Sequence, residues 1–483
     1  MKKSFKKTVT IGLAAILAAA SFTGCQKKAA NNSGEGDVPT LLIYMPGEGY
    51  TDLASVTEKI NEITVPSIGA KVNLQFTGGF AEKMNMKMAA GEVFDICFTG
   101  YNNPYRKAVR NGGLMPLKEL IDENVPELWD LMPEFWWDSV KVDDEIYAVP
   151  NQQIAALRAA IIMPKEYADQ YGISEENIKH INDIEPYLAK MKEDYPDKYA
   201  FRTRESLELW TKYKYEIVST QLAIERGDQK AQVIPIYETP EYEEAVRKLS
   251  EWFKKGYIRP DVASVINDDP DFNAHKYIVT KTGYKPGLEI NQSAMVGGEH
   301  VAISLEEPIV TTAGCVATMY GISATAEHPV ESIKFIHAVN SNKELYNLIC
   351  YGIEGKHYEK LDETHVRPYK DAGYYPNASW RFGNQFNAYL LEGQQDDLWE
   401  ATIKVNDEAE KSVLLGFDFD TESVVTEISQ CTNVISEFAA LGNGSTDWEK
   451  MLPEYKNRME QAGIRKIQAE LQKQIDEFLA DKN

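Results

Sequence analysis

The chain has 483 residues, with 51 lysines and arginines against 74 aspartates and glutamates, and a formal charge of −23 at pH 7. That acidic excess argues against a nucleic-acid binder and against a polybasic membrane patch, both of which need surplus Lys and Arg. A hydrophobic share of 43% and an aromatic share of 11% supply cores for more than one domain-sized body.

Lys2, Lys3, Lys6 and Lys7 form a basic start, followed by an apolar run over 9–22 that closes on Phe22-Thr23-Gly24-Cys25. A short apolar stretch behind basic residues is a secretory signal, whereas a spanning helix needs about 20 apolar residues. The close on cysteine resembles the lipobox of bacterial lipoproteins, with Phe22 where Leu is usual. That resemblance implies a signal peptide over 1–24 and a lipid on Cys25; an ordinary signal with a chance cysteine is the alternative. Residues 26–37 (QKKAANNSGEGD) carry no large apolar side chain, so 25–38 reads as a lipidated, flexible tether. A diacylglycerol gives stable anchoring where one acyl chain gives only marginal binding.

Beyond the tether, Leu41–Tyr44 reads as a strand, and Asp52 is placed to cap a helix with Leu53, Val56, Ile60 and Ile63 on its apolar face. Alternating Val72, Leu74 and Phe76 predict a second strand, 80–90 a helix and 94–99 a third strand. This β-α-β-α-β order implies a parallel sheet covered by helices. Its ligands are expected at the carboxyl ends of the strands, in the loops 45–50 and 100–105. A second α/β region starts near Ile154 with a strand-like run over 155–163, followed by helices through Tyr195. Thr239-Pro240 opens a helix whose face is Tyr242, Ala245, Val246, Leu249, Trp252 and Phe253. Strand patterns return at 302–305 and 316–322, then a helix at 330–339. The last third is helical, with one stripe of Val424, Val425, Ile428, Cys431, Ile435 and Phe438 and another of Ile464, Ile467, Leu471, Ile475 and Phe478. No internal repeat is visible.

Catalytic signatures are missing: there is no G-x-S-x-G elbow, H-E-x-x-H, Walker loop or G-x-G-x-x-G. His357 and His365 fit neither a helical i, i+4 pair nor a zinc loop. The run Asn267-Asp268-Asp269-Pro270-Asp271 lacks the pattern of a calcium loop and reads as a solvated acidic loop. Cys97, Cys315, Cys350 and Cys431 are far apart with no CxxC, and read as buried free thiols rather than disulfides. No metal and no cofactor is implied. The aromatic and amide residues in turn-rich stretches are more telling: Tyr44, Tyr101, Asn102, Asn103, Tyr105, Trp136, Trp137, Tyr147, Asn151, Gln152, Gln153, Trp380, Asn384 and Gln385. Sugars stack C–H faces on Trp and Tyr and pair hydroxyls with amides and carboxylates, although a single Trp at a helix start is more often core.

Three motifs follow in order: Gly91-Glu92-Val93-Phe94-Asp95-Ile96, Gly113-Leu114-Met115-Pro116-Leu117 and Glu145-Ile146-Tyr147-Ala148-Val149-Pro150. With Gly321-Ile322-Ser323-Ala324-Thr325, His328-Pro329, the run 344–348 (ELYNL) and the run 351–358 (YGIEGKHY), the chain resembles the extracellular solute-binding lipoproteins of ABC importers. The resemblance is to the carbohydrate-type family 1, in a branch with a C-terminal extension of unassigned role. The stretch 380–387 (WRFGNQFN), Gly416-Phe417 and the helix after Ala462-Gly463-Ile464 match that extension. It implies an α/β, two-lobed periplasmic-binding-protein-like fold of class II type, with parallel-rich sheets flanked by helices and a helical C-terminal extension. One lobe is expected from 39–152 plus about 316–352, the other from 153–315 plus about 353–483. The 146–150 segment is expected to be the first crossing between lobes.

The function so implied is capture of an oligosaccharide in an interlobe cleft at the outer membrane face and its delivery to an ABC permease, by a lipid-anchored, monomeric protein that performs no catalysis. Tyr44, Tyr101, Asn102, Trp136, Trp380, Asn384 and Gln385 are the candidate cleft residues, with Asn151 and Gln152 at the hinge. Arg381 either meets an acidic sugar or makes an ion pair. A peptide-binding lipoprotein, a surface glycoside hydrolase or lyase, and a sensor or adhesin are the rival readings.

Overall fold

A computed structural model describes residues 38–101 and 105–482. The signal segment, Cys25 and all of the tether but Val38 lie outside the described residues, as does Asn102. The first sheet has the strand order Lys71–Thr77, Thr40–Pro46, Ile96–Gly100, Thr318–Ile322, Ala148–Pro150. Its first three strands are parallel, as the intervening helices Leu53–Ile68 and Phe80–Ala90 demand; the returning strand Thr318–Ile322 is antiparallel to both its neighbours.

Helix Leu53–Ile68 buries Val56, Ile60, Thr64 and Ile68, one residue per turn, and ends at Gly69 in the left-handed conformation. Asp52 precedes it but does not cap it. Its carboxylate is taken instead by Lys356 Nζ at 2.6 Å and His357 Nε2 at 3.1 Å. The buried carboxylate of Asp95 accepts from the backbone N–H of Leu42 at 2.8 Å and of His328 at 3.1 Å, tying strand edge to helix start within the first lobe.

The second sheet runs His300–Ser304, Arg158–Pro164, Tyr277–Tyr284, Tyr199–Arg202. Only its last pair is parallel, so this sheet is mixed rather than parallel-rich. The parallel pair is the one whose connection contains the long helix Pro240–Lys254, as a crossover requires. Thr239 Oγ1 accepts from the Tyr242 N–H at 3.3 Å and caps that helix. Its apolar face serves two cores: Ala245, Leu249 and Trp252 pack under the second sheet, Tyr242 and Val246 against the C-terminal helices.

A third core joins the hairpin of Tyr215–Ser219 and Leu222–Glu225 to helices Val425–Glu437, Trp448–Gln461 and Ile464–Lys482. Cys431, Ile464, Ile467, Leu471 and Ile475 are buried there, while Val425 turns outward at 61% exposure. The stretch 353–391, assigned from sequence to the second lobe, contributes Tyr374, Phe382 and Ala388 to the first core. The second sheet's first strand starts at Arg158, three residues later than expected, because 151–157 is used to cross between lobes. The 146–150 segment is not itself the crossing: Ala148–Pro150 is a strand of the first sheet. Cys97, Cys315, Cys350 and Cys431 are all free and buried. No helix among the described residues is long and apolar enough to cross a membrane.

Candidate functional site

Between the lobes lies an open cleft of about 910 Å³. From the first lobe come Tyr101, just past strand Ile96–Gly100, and Thr318, at the start of the returning strand. Gly100 lets these strand ends meet: at φ 131 a Cβ there would sit 2.2 Å from the Ala317 carbonyl oxygen. The second lobe supplies Tyr215, Glu216, Ile217, Gln221, Arg226 and Lys285. Gln221 and its neighbour Thr220 form the hairpin tip, both with positive φ, a local strain of the kind that collects at binding sites. Tyr101, Leu157 and Ile217 leave 54%, 52% and 43% of their surface exposed in this cleft, an apolar lining open to solvent.

Trp380 is the best-supported aromatic. It stands in the short turn Ser379–Arg381, 5.6 Å from the Tyr101 ring, and its own carbonyl accepts from Thr318 Oγ1 at 3.2 Å. The loop is stapled to the crossing segment: Asn151 Nδ2 donates to the Arg381 carbonyl at 2.8 Å, and the Gln385 N–H donates to the Gln152 carbonyl, also at 2.8 Å. Gln153 Nε2 donates to Thr318 Oγ1 at 2.9 Å, joining the crossing to the returning strand. Asn151 and Gln152 are therefore buried members of the crossing, and Asn151 Oδ1 and Gln152 Nε2 have no partner among the described residues. Arg381 meets no carboxylate among the described residues; its guanidinium lies 4.9 Å from the Trp380 ring and donates to the Pro46 carbonyl at 2.7 Å. Asn384 Oδ1 accepts from the Phe386 N–H and opens the turn Gln385–Asn387. Gln385, buried, donates to Ser379 Oγ at 2.9 Å.

Four of the expected cleft residues do not line it: Asn384 and Gln385, in the turn after Trp380, and Trp136 and Tyr44. Trp136, 2% exposed, stacks on Phe135 in the first core, because helix Glu134–Val140 turns its face of Trp136, Trp137 and Val140 inward. Tyr44 packs edge-on against Phe94 at 5.7 Å, with Lys87 Nζ 5.0 Å from its ring, since strand alternation points it away from Leu41, Ile43 and Met45 and it does not line the cleft. Asn102 lies outside the described residues.

Sequence reading missed the charged groups of the second lobe. Arg226 Nη1 pairs with Glu306 at 3.5 Å, and Glu306 also accepts from the Ala159 N–H. Burial pushes the Glu306 carboxyl above its usual range, and that of Glu216 likewise, with Ser412 Oγ donating to Glu216 at 2.6 Å in partial compensation. No motif marks these residues: Glu216 lies in the hairpin of Tyr215–Ser219 and Leu222–Glu225, Arg226 directly follows it, and Glu306 follows strand His300–Ser304. The acidic run at 267–271 stays open to solvent but is ion-paired: Arg202 pairs with Asp268 and Asp269, and Arg259 with Asp271 at 2.8 Å. Among the described residues no group of three His, Cys, Asp or Glu is placed to hold a metal ion.

Such a cleft, with aromatic walls and a few convergent polar groups, is suited to holding a small polar solute between two lobes. Comparison with known proteins agrees. The family described as "Bacterial extracellular solute-binding protein" matches residues 68–345, and a "Domain of unknown function (DUF3502)" matches 413–480. A carbohydrate ABC transporter substrate-binding protein of Streptococcus pneumoniae is 28% identical over 494 residues, covering 100% of this chain and 99% of the relative. Lipoprotein LipO of Bacillus subtilis is 21% identical, covering 89% of this chain and 90% of its own. The crystal structure of the N-glycan transport solute binding protein NgtS of Streptococcus pneumoniae superposes with a TM-score of 0.82 at 26% identity, covering 92% of this chain and 100% of that one. The same protein in complex with Man1GlcNAc gives 0.75. Sequence match, two-lobed fold and interlobe cleft together show that the chain belongs to the bacterial extracellular solute-binding protein family.

Proposed function

We propose that the protein captures an oligosaccharide in the interlobe cleft and hands it to the permease of an ABC importer, without bond chemistry of its own. The observation that carries this reading is the Tyr101–Trp380 pair at the cleft wall, held by the hydrogen-bonded crossing at Asn151 and Gln152. Flat aromatic surface on a prepared loop suits the C–H face of a sugar ring. The similarity to NgtS, whose solved complexes hold mannose-containing glycans, points to the same ligand class. Contacts from both lobes would favour a closed, ligand-bound state. The reading keeps Cys25 as a lipid anchor and 25–38 as the tether, holding a monomeric solute trap beside its importer.

Titration of the mature chain with neutral oligosaccharides, acidic oligosaccharides and peptides, followed by tryptophan fluorescence and calorimetry, tests the ligand class. Stoichiometric binding of at least one glycan, weakened at least tenfold by Trp380→Ala, is expected. Binding of peptides alone would overturn the sugar assignment, and turnover beyond one equivalent would overturn the binding-only role. Cys25→Ser should release the protein from the membrane with its affinity unchanged; full membrane retention would remove the anchor from the reading.

A further inference from the structure

A second cavity, of about 390 Å³, shares Ile154, Lys285 and Trp380 with the cleft. It lies among helices Leu288–Val296, Lys343–Tyr351 and Leu398–Glu408, and its size is that of a small-molecule site. Trp380, Tyr389 and Trp399 give it aromatic walls. Its charge is unusual for this chain. Of 74 acidic residues in the sequence, none is among the described residues that line it, whereas Lys285 and Lys370 both do.

Lys370 Nζ is occupied by the Ala294 carbonyl at 2.9 Å. Lys285 is not: its side chain has no hydrogen-bond or ion-pair partner among the described residues, and burial holds its ammonium below the usual lysine range. Gln292, 8% exposed, also lines the cavity, and its Nε2 has no partner among the described residues. Two unmet donors, one of them cationic, thus border a space with no carboxylate. Gln292 Nε2 is buried without a partner, which is costly, and Lys285 brings a positive charge with no counter-ion beside it, so the site favours a ligand that brings acceptors and negative charge. A neutral sugar brings hydroxyls that must donate as well as accept; a carboxylate only accepts.

We propose that this cavity is a subsite for a carboxylate-bearing sugar unit of the glycan held in the cleft, with Lys285 Nζ pairing with the carboxylate and Gln292 Nε2 hydrogen-bonding the same unit. The proposal rests on the oligosaccharide reading of the cleft and deepens it. Trp380, bordering both spaces, is the surface past which such a ligand would extend from one to the other.

The test uses the mature chain and matched panels of oligosaccharides: uronate-terminated glycans and the same glycans with the carboxyl reduced to a primary alcohol. The acidic member of a binding pair should bind at least tenfold tighter in calorimetry, with the advantage shrinking as salt rises. Lys285→Gln should erase that advantage, weakening the acidic glycan at least tenfold more than the reduced one, with an unchanged thermal midpoint showing that the variant is folded. Gln292→Leu should weaken both members less than threefold apart from each other. Equal affinity of acidic and reduced glycans in the wild type overturns the acidic subsite and leaves the oligosaccharide reading standing. An advantage that survives in Lys285→Gln also overturns it. Failure of every glycan in both panels overturns the oligosaccharide reading and this proposal with it.

Discussion

Asn406 is the side chain on which the interlobe crossing most directly depends. It sits on helix Leu398–Glu408 at 3% exposure. Its Oδ1 accepts from the N–H of Ala155 at 2.8 Å and, more weakly, of Ala156 at 3.4 Å, while Nδ2 donates to the Gln153 carbonyl at 2.7 Å. Ala155 and Ala156 are themselves 3% and 0% exposed, so neither N–H has ready access to solvent. Asn406→Ala strands two well-formed buried backbone bonds and a third weaker one. At about 1–3 kcal/mol for each stranded buried group, and with water filling part of the vacated space, the loss comes to roughly 2–4 kcal/mol. The urea midpoint, followed by tryptophan fluorescence and circular dichroism together, should fall accordingly with the slope unchanged. Asn406→Asp sharpens the test, because the atom replacing Nδ2 now faces the Gln153 carbonyl as a second acceptor and needs a proton to bond it. The carboxyl's folded pKa is thereby raised above its unfolded value, so its stabilising bond is present below the ordinary carboxylate range and is lost as pH rises through the folded value. Asn406→Asp should therefore match the wild type most nearly at acid pH and fall behind it at pH 7. A loss under about 0.5 kcal/mol in Asn406→Ala, or wild-type stability of Asn406→Asp at pH 7, would refute this account of the crossing.

Gly314 packs its Cα against the same crossing, and an added Cβ would lie 2.2 Å from the Ala155 carbonyl oxygen; Gly314→Ala should cost about 1–3 kcal/mol in the same urea assay, and no change would show that the crossing yields freely. The thiols of Cys97 and Cys315 are pushed up to about 12 by burial, and Cys350 and Cys431 are raised too, so none of the four should react with a disulfide reagent at pH 8 until the chain is unfolded, when all four should. Glu216 has a folded pKa raised by burial, so its favourable contribution is complete below its unfolded value and fades as pH climbs through the folded one. Glu216→Gln should make the fall in urea midpoint between pH 4.5 and 7.5 shallower, with Glu306 keeping its own share; an unchanged slope would place the charged form of Glu216 at no disadvantage.

Local pattern sufficed for the elements and failed where distant pairing decides. The first three strands and their helices follow from period-2 and period-3.6 repeats, and the Thr239-Pro240 helix start follows from the chemistry of a cap. Asp52 shows the limit: cap-like in sequence, it is claimed by Lys356 and His357, about 300 residues away along the chain and invisible to any local window. The second sheet's mixed strand directions are likewise set by which connections hold a helical crossover, a matter of topology rather than of composition.

The cleft residues separate on a physical distinction present in the sequence. Trp136 belongs to a run in which Trp136, Trp137 and Val140 recur with helical period, and such an aromatic buries its ring on the core side. Tyr44 belongs to a strand whose alternation sends it to the face covered by Phe94 and Lys87. Trp380 sits in neither period, between Asn377-Ala378-Ser379 and Gly383-Asn384, and nothing regular in the backbone commits its ring to a core. An aromatic outside any period must be held by hydrogen bonds from elsewhere if it is to be ordered, and Asn151, Gln152 and Thr318 supply them from segments more than 60 residues away along the chain. Lys285 repeats the logic with the opposite sign: a residue with no periodic context and no partner among the described residues is left facing two cavities. In both cases the side chain at the cavity wall stands just outside the regular strands and long helices, where neither period commits it to a core.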